Sequence, residues 1–285
     1  MDVVSPIITP FRNGKLDIDT FALHAKNLLR KGVDALFVAG STGLGPALGL
    51  EEKKALLEAA ASLTKRVILH VSSLNFEDVL ALLKYADKFD IEAVAPLPPY
   101  YYPGIPEKHV VKYFRDLCGA TAHPLYLYNY PAAAGRDVNA KLAKEVGCLR
   151  GVKDTGEDLG HTVQYKRLMP WMKVYKGSDA LIFASYASGL DGVVVSSTNY
   201  LPEAVSRIRD YVKEGRLEEA RKLQNVILEL LDVGRSVGYQ SAVYEYVKIF
   251  QGYDAGEPRP PIYPLDAEEK AKLAEAAEKV KELIK

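Results

Sequence analysis

The sequence predicts an α/β fold in which eight parallel strands close into a barrel, the (β/α)8 or TIM-barrel architecture, with a C-terminal extension of about three helices. Eight apolar, β-branched runs alternate with eight amphipathic stretches of helical period. An open parallel sheet of that size would leave two unpaired edges, so a closed barrel is favoured. The length of 285 residues is also close to the ~250 residues typical of such barrels.

The strands and helices are assigned in chain order from this periodicity. The predicted strands cover residues 3–9, 35–39, 67–71, 93–96, 125–128, 151–153, 174–176 and 192–196. The predicted helices cover residues 19–31, 50–63, 75–89, 106–119, 139–146, 161–169, 180–188 and 201–214. Local signals support these boundaries, because Glu51 and Glu52 place acids in a first helical turn and Asn75 is a capping residue ahead of Asp78. Residues 1–216 are therefore predicted to form the barrel.

Residues 217–285 show helical periodicity only. It is broken by the turn at 251–254 and by the Pro-rich loop 257–264. We expect this segment to form helices that pack on one side of the barrel as an appendage. Barrel and appendage are expected to be a single structural unit, since no linker or low-complexity tract separates them.

Composition excludes several classes of partner. Lys plus Arg and Asp plus Glu both number 37, so the formal net charge is zero, which argues against nucleic acid or an anionic membrane as the main partner. The N-terminus has no basic segment followed by a long apolar one, and no apolar stretch approaches the ~20 residues needed to span a bilayer. We therefore expect a cytoplasmic protein. Scarce Asn and Gln beside plentiful Tyr, Glu and Lys indicate a thermophilic source.

Neither the cysteines nor the histidines indicate a metal site. Cys118 and Cys148 lie far apart in the chain, so they predict no disulfide framework and no CxxC metal site. The five histidines show no HxH or HExxH pairing, and no metal is expected.

Two short strings, 127–131 and 151–155, carry most of the predicted chemistry. Each ends an apolar run, and a helical stretch of about fifteen residues separates them. Such a strand–helix–strand unit makes the strands parallel neighbours, so Tyr128 and Lys153 are expected at the same edge of the sheet, where ligands bind. Most lysines are solvated surface charges, but burial in a barrel would lower the pKa of Lys153 toward the nucleophilic range. An amine beside a phenol predicts Schiff-base chemistry.

Other polar groups follow the remaining strands at this edge. The 40–43 turn, Gly-Ser-Thr-Gly, has two hydroxyls suited to a carboxylate, and its spacing is not that of a dinucleotide loop. The Tyr-rich loop 98–103 is stiff and aromatic, suited to a pocket wall or a subunit contact. Gly177 and Asp179 follow strand seven, and Ser196 ends strand eight. We expect these groups to surround one small-molecule site.

The ordered motifs resemble the pyruvate-dependent class I aldolase superfamily that contains dihydrodipicolinate synthase and N-acetylneuraminate lyase. The motifs are Pro-Ile-Ile-Thr-Pro-Phe at 6–11, Gly-Ser-Thr-Gly at 40–43, Tyr-Asn-Tyr-Pro at 128–131 and Gly-Val-Lys-Asp at 151–154. The resemblance covers essentially the whole chain.

Within that superfamily the chain looks most like the archaeal 2-keto-3-deoxy-(6-phospho)gluconate aldolases. Leu44 stands where synthases and sialic acid lyases usually have Glu, and Tyr130 replaces a more usual apolar residue. Synthases typically have Arg at the position of Ala133. The strings at 250–253 and 258–261 also resemble the archaeal branch.

The resemblance implies a Schiff-base aldolase that reversibly cleaves 2-keto-3-deoxygluconate, and possibly its 6-phosphate, to pyruvate and glyceraldehyde or its 3-phosphate. Lys153 would form the imine with no metal or other cofactor. Tyr128 would move protons in a relay with Thr42 and with Tyr101 of a neighbouring subunit, since the family is usually tetrameric. Ser41 and Thr42 would bind the carboxylate. The remaining substrate contacts implied are Pro6, Tyr130, Thr155, Gly177, Asp179, Ser196 and Arg235.

Two positions bear on whether the phosphorylated substrate is used. Arg235 resembles a phosphate-contacting arginine, whereas Gly104 stands where relatives that accept the phosphate often carry Arg. Loss of one charged hydrogen bond would cost about 1.5–3 kcal/mol.

Three alternatives stay open. Another pyruvate lyase or synthase of the same superfamily would share the imine chemistry. A metal-dependent aldolase on the same barrel would need a ligand cluster. A non-catalytic sugar-acid binder would leave the pairing of Lys153 and Tyr128 unexplained.

Overall fold

Eight parallel strands form the wall of a closed barrel in the computed structural model, which describes residues 1–283. They are β1 (Asp2–Pro6), β4 (Ala35–Val38), β5 (Val67–His70), β6 (Ala93–Ala95), β7 (Tyr126–Asn129), β8 (Gly151–Asp154), β9 (Lys173–Lys176) and β10 (Gly192–Val194). Their order is β6-β5-β4-β1-β10-β9-β8-β7, and a parallel bridge between Val94 and Leu125 joins the two ends. Closure leaves no open edge, so the predicted fold class is confirmed. A small hairpin, β2 (Phe11–Arg12) and β3 (Lys15–Leu16), follows β1.

Helices connect successive strands and cover the outside of the barrel. They are α1 (Ile18–Arg30), α2 (Leu50–Ala61), α3 (Phe76–Ala86), α4 (Glu107–Gly119), α5 (Pro131–Ala134), α6 (Ala140–Val146), α7 (Leu159–Leu168), α8 (Ile182–Ala187) and α9 (Pro202–Lys213). All eight predicted helices are present, and the one-turn α5 is additional. The Asn75 carboxamide accepts a hydrogen bond from the Glu77 amide at the start of α3, as its capping position predicts.

Alternation along the strands separates two cores. Inward-facing side chains, including Phe37, Tyr126, Tyr128 and Tyr175, fill the barrel. Outward-facing Val and Leu side chains pack against the helices. Inward residues at the carboxyl ends of the strands therefore meet at one mouth of the barrel.

An ion-pair network closes the opposite, amino-terminal end. Arg66 lies between two carboxylates: its Nη2 is 3.0 Å from Asp2 Oδ2, and its Nε is 2.8 Å from Glu92 Oε2. The Tyr175 hydroxyl donates to Asp2 Oδ2 at 2.9 Å. Burial alone would raise the pKa of Asp2, but the hydrogen bonds from Arg66 and Tyr175 lower it to about 2. Asp2 therefore stays ionised in mildly acidic solution.

Three further helices follow the barrel: α10 (Leu217–Val237), α11 (Tyr239–Gln251) and α12 (Ala267–Lys281). α10 packs along α9 and contacts both α11 and α12. The number of helices agrees with the predicted extension, while the domain boundary at residue 216 stays a prediction. Residues 284 and 285 of the predicted appendage lie outside the described residues. Within residues 1–283, none of the helices is both long and apolar enough to cross a membrane.

Cys118 and Cys148 form a disulfide, so the prediction from their spacing was wrong. Cys118 lies in the last turn of α4, and Cys148 precedes β8. Although 30 residues separate them in the chain, packing of α4 against α6 brings their Cα atoms to 6.4 Å. Sequence separation carries no information about that packing.

We expect the Cys118→Ser/Cys148→Ser variant to unfold at a lower temperature than the parent protein. Releasing a loop of 30 residues removes about 3–4 kcal/mol of unfolded-state constraint. For a chain of this size that lowers Tm by about 5–10 °C. Calorimetry under non-reducing conditions measures the shift, and the parent protein treated with a reductant is the matched control. Two free thiols per chain in the untreated protein would contradict the prediction.

Candidate active site

Lys153 and Tyr128 lie side by side at the carboxyl ends of β8 and β7. The strands pair in parallel with Tyr128 opposite Lys153, and both side chains point into the barrel. Lys153 Nζ is 4.2 Å from the ring centroid of Tyr128 and 4.3 Å from that of Phe37. Lys153 is 5% exposed and Tyr128 1%. The amine therefore rests on two aromatic faces at the floor of the barrel mouth.

The environment of Lys153 favours its neutral form. Burial lowers the pKa of Lys153 to about 7, opposed by the nearby charge of Asp179. Gly177 leaves room for this side chain, since a Cβ there would lie 2.2 Å from Thr155 Oγ1 and 3.2 Å from Lys153 Cε. A substantial fraction of the amine is unprotonated, and hence nucleophilic, near neutral pH.

We expect imine formation with pyruvate to follow the titration of Lys153. Protonation removes the nucleophile, so the rate of trapping by cyanoborohydride should fall roughly tenfold per pH unit below about pH 7 and level off above it. The rate of adduct formation at low pyruvate, followed by intact mass, measures this profile. A rate that keeps rising up to about pH 10, as for an ordinary lysine, would contradict it.

The phenol of Tyr128 is fixed by the turn after β4. Its hydroxyl lies 3.0 Å from Ser41 Oγ, and Thr155 also contacts it. Burial raises the pKa of Tyr128 to about 12, so the phenol keeps its proton until a reacting group takes it. Thr42 bonds elsewhere, because its Oγ1 lies 3.0 Å from Ser196 Oγ. Within the described chain the hydroxyl contacts of Tyr128 are thus with Ser41 and Thr155, and the relay with Thr42 stays a prediction.

A tight turn presents Ser41 and Thr42 to the cavity. Ala39 and Leu44 both have left-handed backbone conformations, with φ of +56° and +55°. Gly45 is required for closure, since a Cβ there would lie 1.7 Å from the carbonyl oxygen of Ala39. The turn reverses the chain sharply enough for both hydroxyls to face the same side.

One cavity of about 540 Å³ opens above Lys153. Its lining includes most of the residues that the sequence predicts for the site: Pro6, Ser41, Thr42, Tyr128, Tyr130, Lys153, Thr155, Gly177, Asp179, Ser196 and Arg235. Tyr101 lies outside this cavity, 75% exposed, with a left-handed φ of +71°. Six strands or the loops that follow them, together with α10 and α11, thus contribute to one site, and Tyr101 is not among its lining residues.

Two buried polar side chains fix the loops after β9 and β10. The Asp179 carboxylate accepts hydrogen bonds from the amides of Ser196 at 3.2 Å and Ser197 at 2.7 Å. Asn199 donates to the carbonyl oxygens of Pro6 at 3.1 Å and Ser196 at 3.0 Å. Its own oxygen accepts from the amide of Ile8 and contacts His24 Nε2. Asn199 belongs to the polar string 196–199 that the sequence predicts at this edge, but its partners could not be predicted because they are distant in the chain.

The outer face of β8 carries a separate charged cluster. The Asp154 carboxylate accepts from Asn129 Nδ2 at 2.8 Å and lies 3.1 Å from His161 Nδ1. The hydrogen bond with Asp154 raises the pKa of His161 to about 9. Lys176 donates to Thr162 Oγ1 at 2.7 Å, with its Nζ 3.6 Å from Asp154 Oδ2. The buried Lys176 amine is therefore held by partners, whereas the Lys153 amine faces the cavity.

Several residues at the cavity opening were not predicted from the sequence. They are Glu157 in a loop, and Tyr239, Gln240 and Val243 at the start of α11. Ser178, from the polar string predicted after strand seven, also lines the opening. Helical periodicity shows which face of a helix is apolar, but not which end lies over the barrel mouth. Among residues 1–283, no group of three or more His, Cys, Asp or Glu side chains is placed to hold a metal ion.

Similarity to a known protein family extends over almost the whole chain. The sequence model of the dihydrodipicolinate synthetase family matches residues 1–280. The chain belongs to this family. The predicted superfamily and the predicted enzyme class, an aldolase, are both confirmed by this match and by the relatives that follow.

Family members with high identity are named as aldolases. The Thermoproteus tenax 2-dehydro-3-deoxy-D-gluconate/2-dehydro-3-deoxy-phosphogluconate aldolase is 58% identical over 285 residues, covering 100% of this chain and 93% of that protein. The Saccharolobus solfataricus 2-dehydro-3-deoxy-phosphogluconate/2-dehydro-3-deoxy-6-phosphogalactonate aldolase is 48% identical over 281 residues, covering 98% and 96%.

Solved structures of family members share the fold over the full chain. The crystal structure of KD(P)GA from T. tenax has a TM-score of 0.97 at 58% identity and covers 99% of this chain and 100% of that one. A Sulfolobus 2-keto-3-deoxygluconate aldolase in complex with D-KDPG has a TM-score of 0.98 at 48% identity, covering 100% and 97%. The barrel and the C-terminal helices are therefore common to this group.

Proposed function

We propose that this family member reversibly cleaves 2-keto-3-deoxygluconate to pyruvate and glyceraldehyde through a lysine imine. The observation that carries the proposal is the Lys153 amine, buried on the faces of Tyr128 and Phe37 and opening into a cavity that several hydroxyl groups line. The names of relatives that are 46–58% identical support the choice of a 2-keto-3-deoxy sugar acid as substrate.

The electron sink of the reaction is the protonated imine that Lys153 forms with the substrate. The neutral amine attacks the C2 ketone, and loss of water gives a protonated imine. Removal of the proton from the C4 hydroxyl breaks the C3–C4 bond, and its electron pair enters the imine as an enamine while glyceraldehyde leaves. Protonation at C3 and hydrolysis of the imine release pyruvate and restore the amine. No metal or other cofactor takes part in these steps.

Each remaining group has a place in this scheme. The Tyr128 phenol takes the C4 hydroxyl proton as it passes its own proton to Ser41, and Ser41 passes one on to the substrate carboxylate. The reverse transfer delivers the proton to C3. Ser41 and Thr42 also offer hydroxyls to the substrate carboxylate. The other predicted contacts surround the sugar chain: Pro6 and Gly177 shape the cavity, Tyr130, Thr155, Asp179 and Ser196 bind its hydroxyls, and Arg235 lies at the opening.

The test is kcat/KM for pyruvate release from 2-keto-3-deoxygluconate and from its 6-phosphate, measured side by side. We expect turnover of both, with the free sugar acid preferred because Gly104 supplies no charge for a phosphate. N-Acetylneuraminate, and pyruvate with aspartate semialdehyde, are the controls for other lyases and synthases of the family. If pyruvate were released from neither sugar acid, the proposed substrate would be refuted.

The active unit is proposed to be a homotetramer in which Tyr101 serves a neighbouring site. An apolar patch supports this proposal, formed by Leu74 (53% exposed), Phe76 (39%), Tyr101 (75%) and Tyr102 (58%). Light scattering gives the mass. Mixing Lys153→Ala with Tyr101→Ala subunits should restore activity if Tyr101 acts across the interface, and no recovery would contradict that role.

A cytoplasmic location, a thermophilic source and a place in an Entner–Doudoroff pathway stay predictions.

A further inference from the structure

A carboxylate and a guanidinium face each other at the opening of the cavity. Glu157 lies in the loop between β8 and α7, and Arg235 in the last turn of α10. Both line the cavity, 74% and 52% exposed, with Arg235 Nη2 3.9 Å from Glu157 Oε1. Ser178 Oγ lies 3.5 Å from the other Glu157 oxygen. Neither Glu157 nor Ser178 takes part in the proposed cleavage steps.

The charges of the cavity divide into an inner and an outer pair. Lys153 and Asp179 are buried at the floor, whereas Glu157 and Arg235 are exposed at the opening. Those four are the charged side chains of the cavity lining within residues 1–283. The positive charge of Arg235 at the opening is therefore offset by Glu157. A neutral terminal hydroxyl of the substrate is neither attracted nor repelled by the net charge at the opening. A phosphate dianion bound to Arg235, in contrast, is repelled by the adjacent Glu157 carboxylate.

We infer that Glu157 is a specificity-determining residue that favours an unphosphorylated sugar-acid terminus. Its carboxylate accepts a hydrogen bond from the terminal hydroxyl and competes with phosphate for Arg235. A phosphorylated terminus must separate the pair and approach Glu157. The inference rests on the proposed function, because it assigns the far end of the substrate to this opening.

The test variant is Glu157→Gln, which keeps the size and hydrogen-bonding capacity of the side chain but removes its charge. The quantity measured is the ratio of kcat/KM for the 6-phosphate to kcat/KM for free 2-keto-3-deoxygluconate, at low ionic strength. We expect this ratio to rise about tenfold, chiefly through a lower KM for the 6-phosphate, and the rise to shrink as salt is added. Arg235→Gln should lower the same ratio.

Glu229→Gln is the matched control. Glu229 is exposed on α10, as Arg235 is, but it does not line the cavity, and the substitution changes the net charge equally. Its ratio should equal that of the parent protein.

Three results would overturn the inference. An unchanged ratio in Glu157→Gln would show that Glu157 does not determine this specificity, while the proposed function would still stand. An equal rise in Glu229→Gln would reduce the effect to net charge alone. If the parent protein released pyruvate from neither substrate, the proposed function would fail, and this inference with it.

Discussion

Lys153→Ala should lose pyruvate release by roughly 10⁴-fold or more, because the substitution removes the group that forms the imine. The residual cavity would still bind the carboxylate through Ser41 and Thr42, but it would have no electron sink for cleavage of the C3–C4 bond. Steady-state release of pyruvate from 2-keto-3-deoxygluconate measures the loss. Lys153→Met, which fills more of the space left by the side chain, separates lost chemistry from a void beside Phe37 and should be equally inactive.

A buried lysine on the neighbouring strand provides an internal control for this prediction. Lys176 lies on the neighbouring strand, but its amine is bonded to Thr162 and lies near Asp154. Borohydride reduction with pyruvate should place the adduct on Lys153 alone, as peptide mapping can establish. An adduct on Lys176, or persistence of the adduct in Lys153→Ala, would contradict the assignment.

Tyr128→Phe should slow cleavage by about 10²–10⁴-fold while leaving the pyruvate adduct intact. The phenylalanine ring keeps the contact with the Lys153 amine and with Phe37, so the nucleophile stays in place. What is lost is the hydroxyl 3.0 Å from Ser41, and with it the proton acceptor for the C4 hydroxyl. Turnover of 2-keto-3-deoxygluconate and mass spectrometry of the reduced adduct report the two steps separately.

Tyr126→Phe is the matched control for that hydroxyl. Tyr126 precedes Tyr128 by one inward position on β7, and its hydroxyl lies 3.5 Å from Glu92, toward the closed end of the barrel. We expect its turnover to stay within a few-fold of the parent protein. Full activity in Tyr128→Phe, or an equal loss in Tyr126→Phe, would remove Tyr128 from the proton transfer.

Much of the site could be predicted because barrel topology converts sequence order into position. Once residues 125–128 and 151–153 are recognised as consecutive parallel strands, Tyr128 and Lys153 must lie next to each other at one edge. The same rule collects the turns after the other strands around one mouth. It needs only the periodicity of each segment, which is a local property.

Contacts that depend on exact side-chain placement could not be predicted in this way. The contacts of Ser41 with Tyr128 and of Thr42 with Ser196 are made from a turn flanked by left-handed residues at positions 39 and 44. Neither Ala nor Leu signals such a conformation. The Cys118–Cys148 disulfide and the position of Glu157 opposite Arg235 depend on how helices pack, which periodicity leaves undetermined.

The ion pairs of Arg66 with Asp2 and Glu92 lie at the end of the barrel remote from Lys153. Loops at the mouth can therefore accumulate changes without disturbing the contacts that hold the amino ends of the strands together. During evolution, substrate specificity can therefore change largely independently of stability. Libraries that vary the loops around Glu157 should yield altered substrate ranges at little loss of stability, whereas libraries around Arg66 should yield proteins that unfold at lower temperature without a change of substrate.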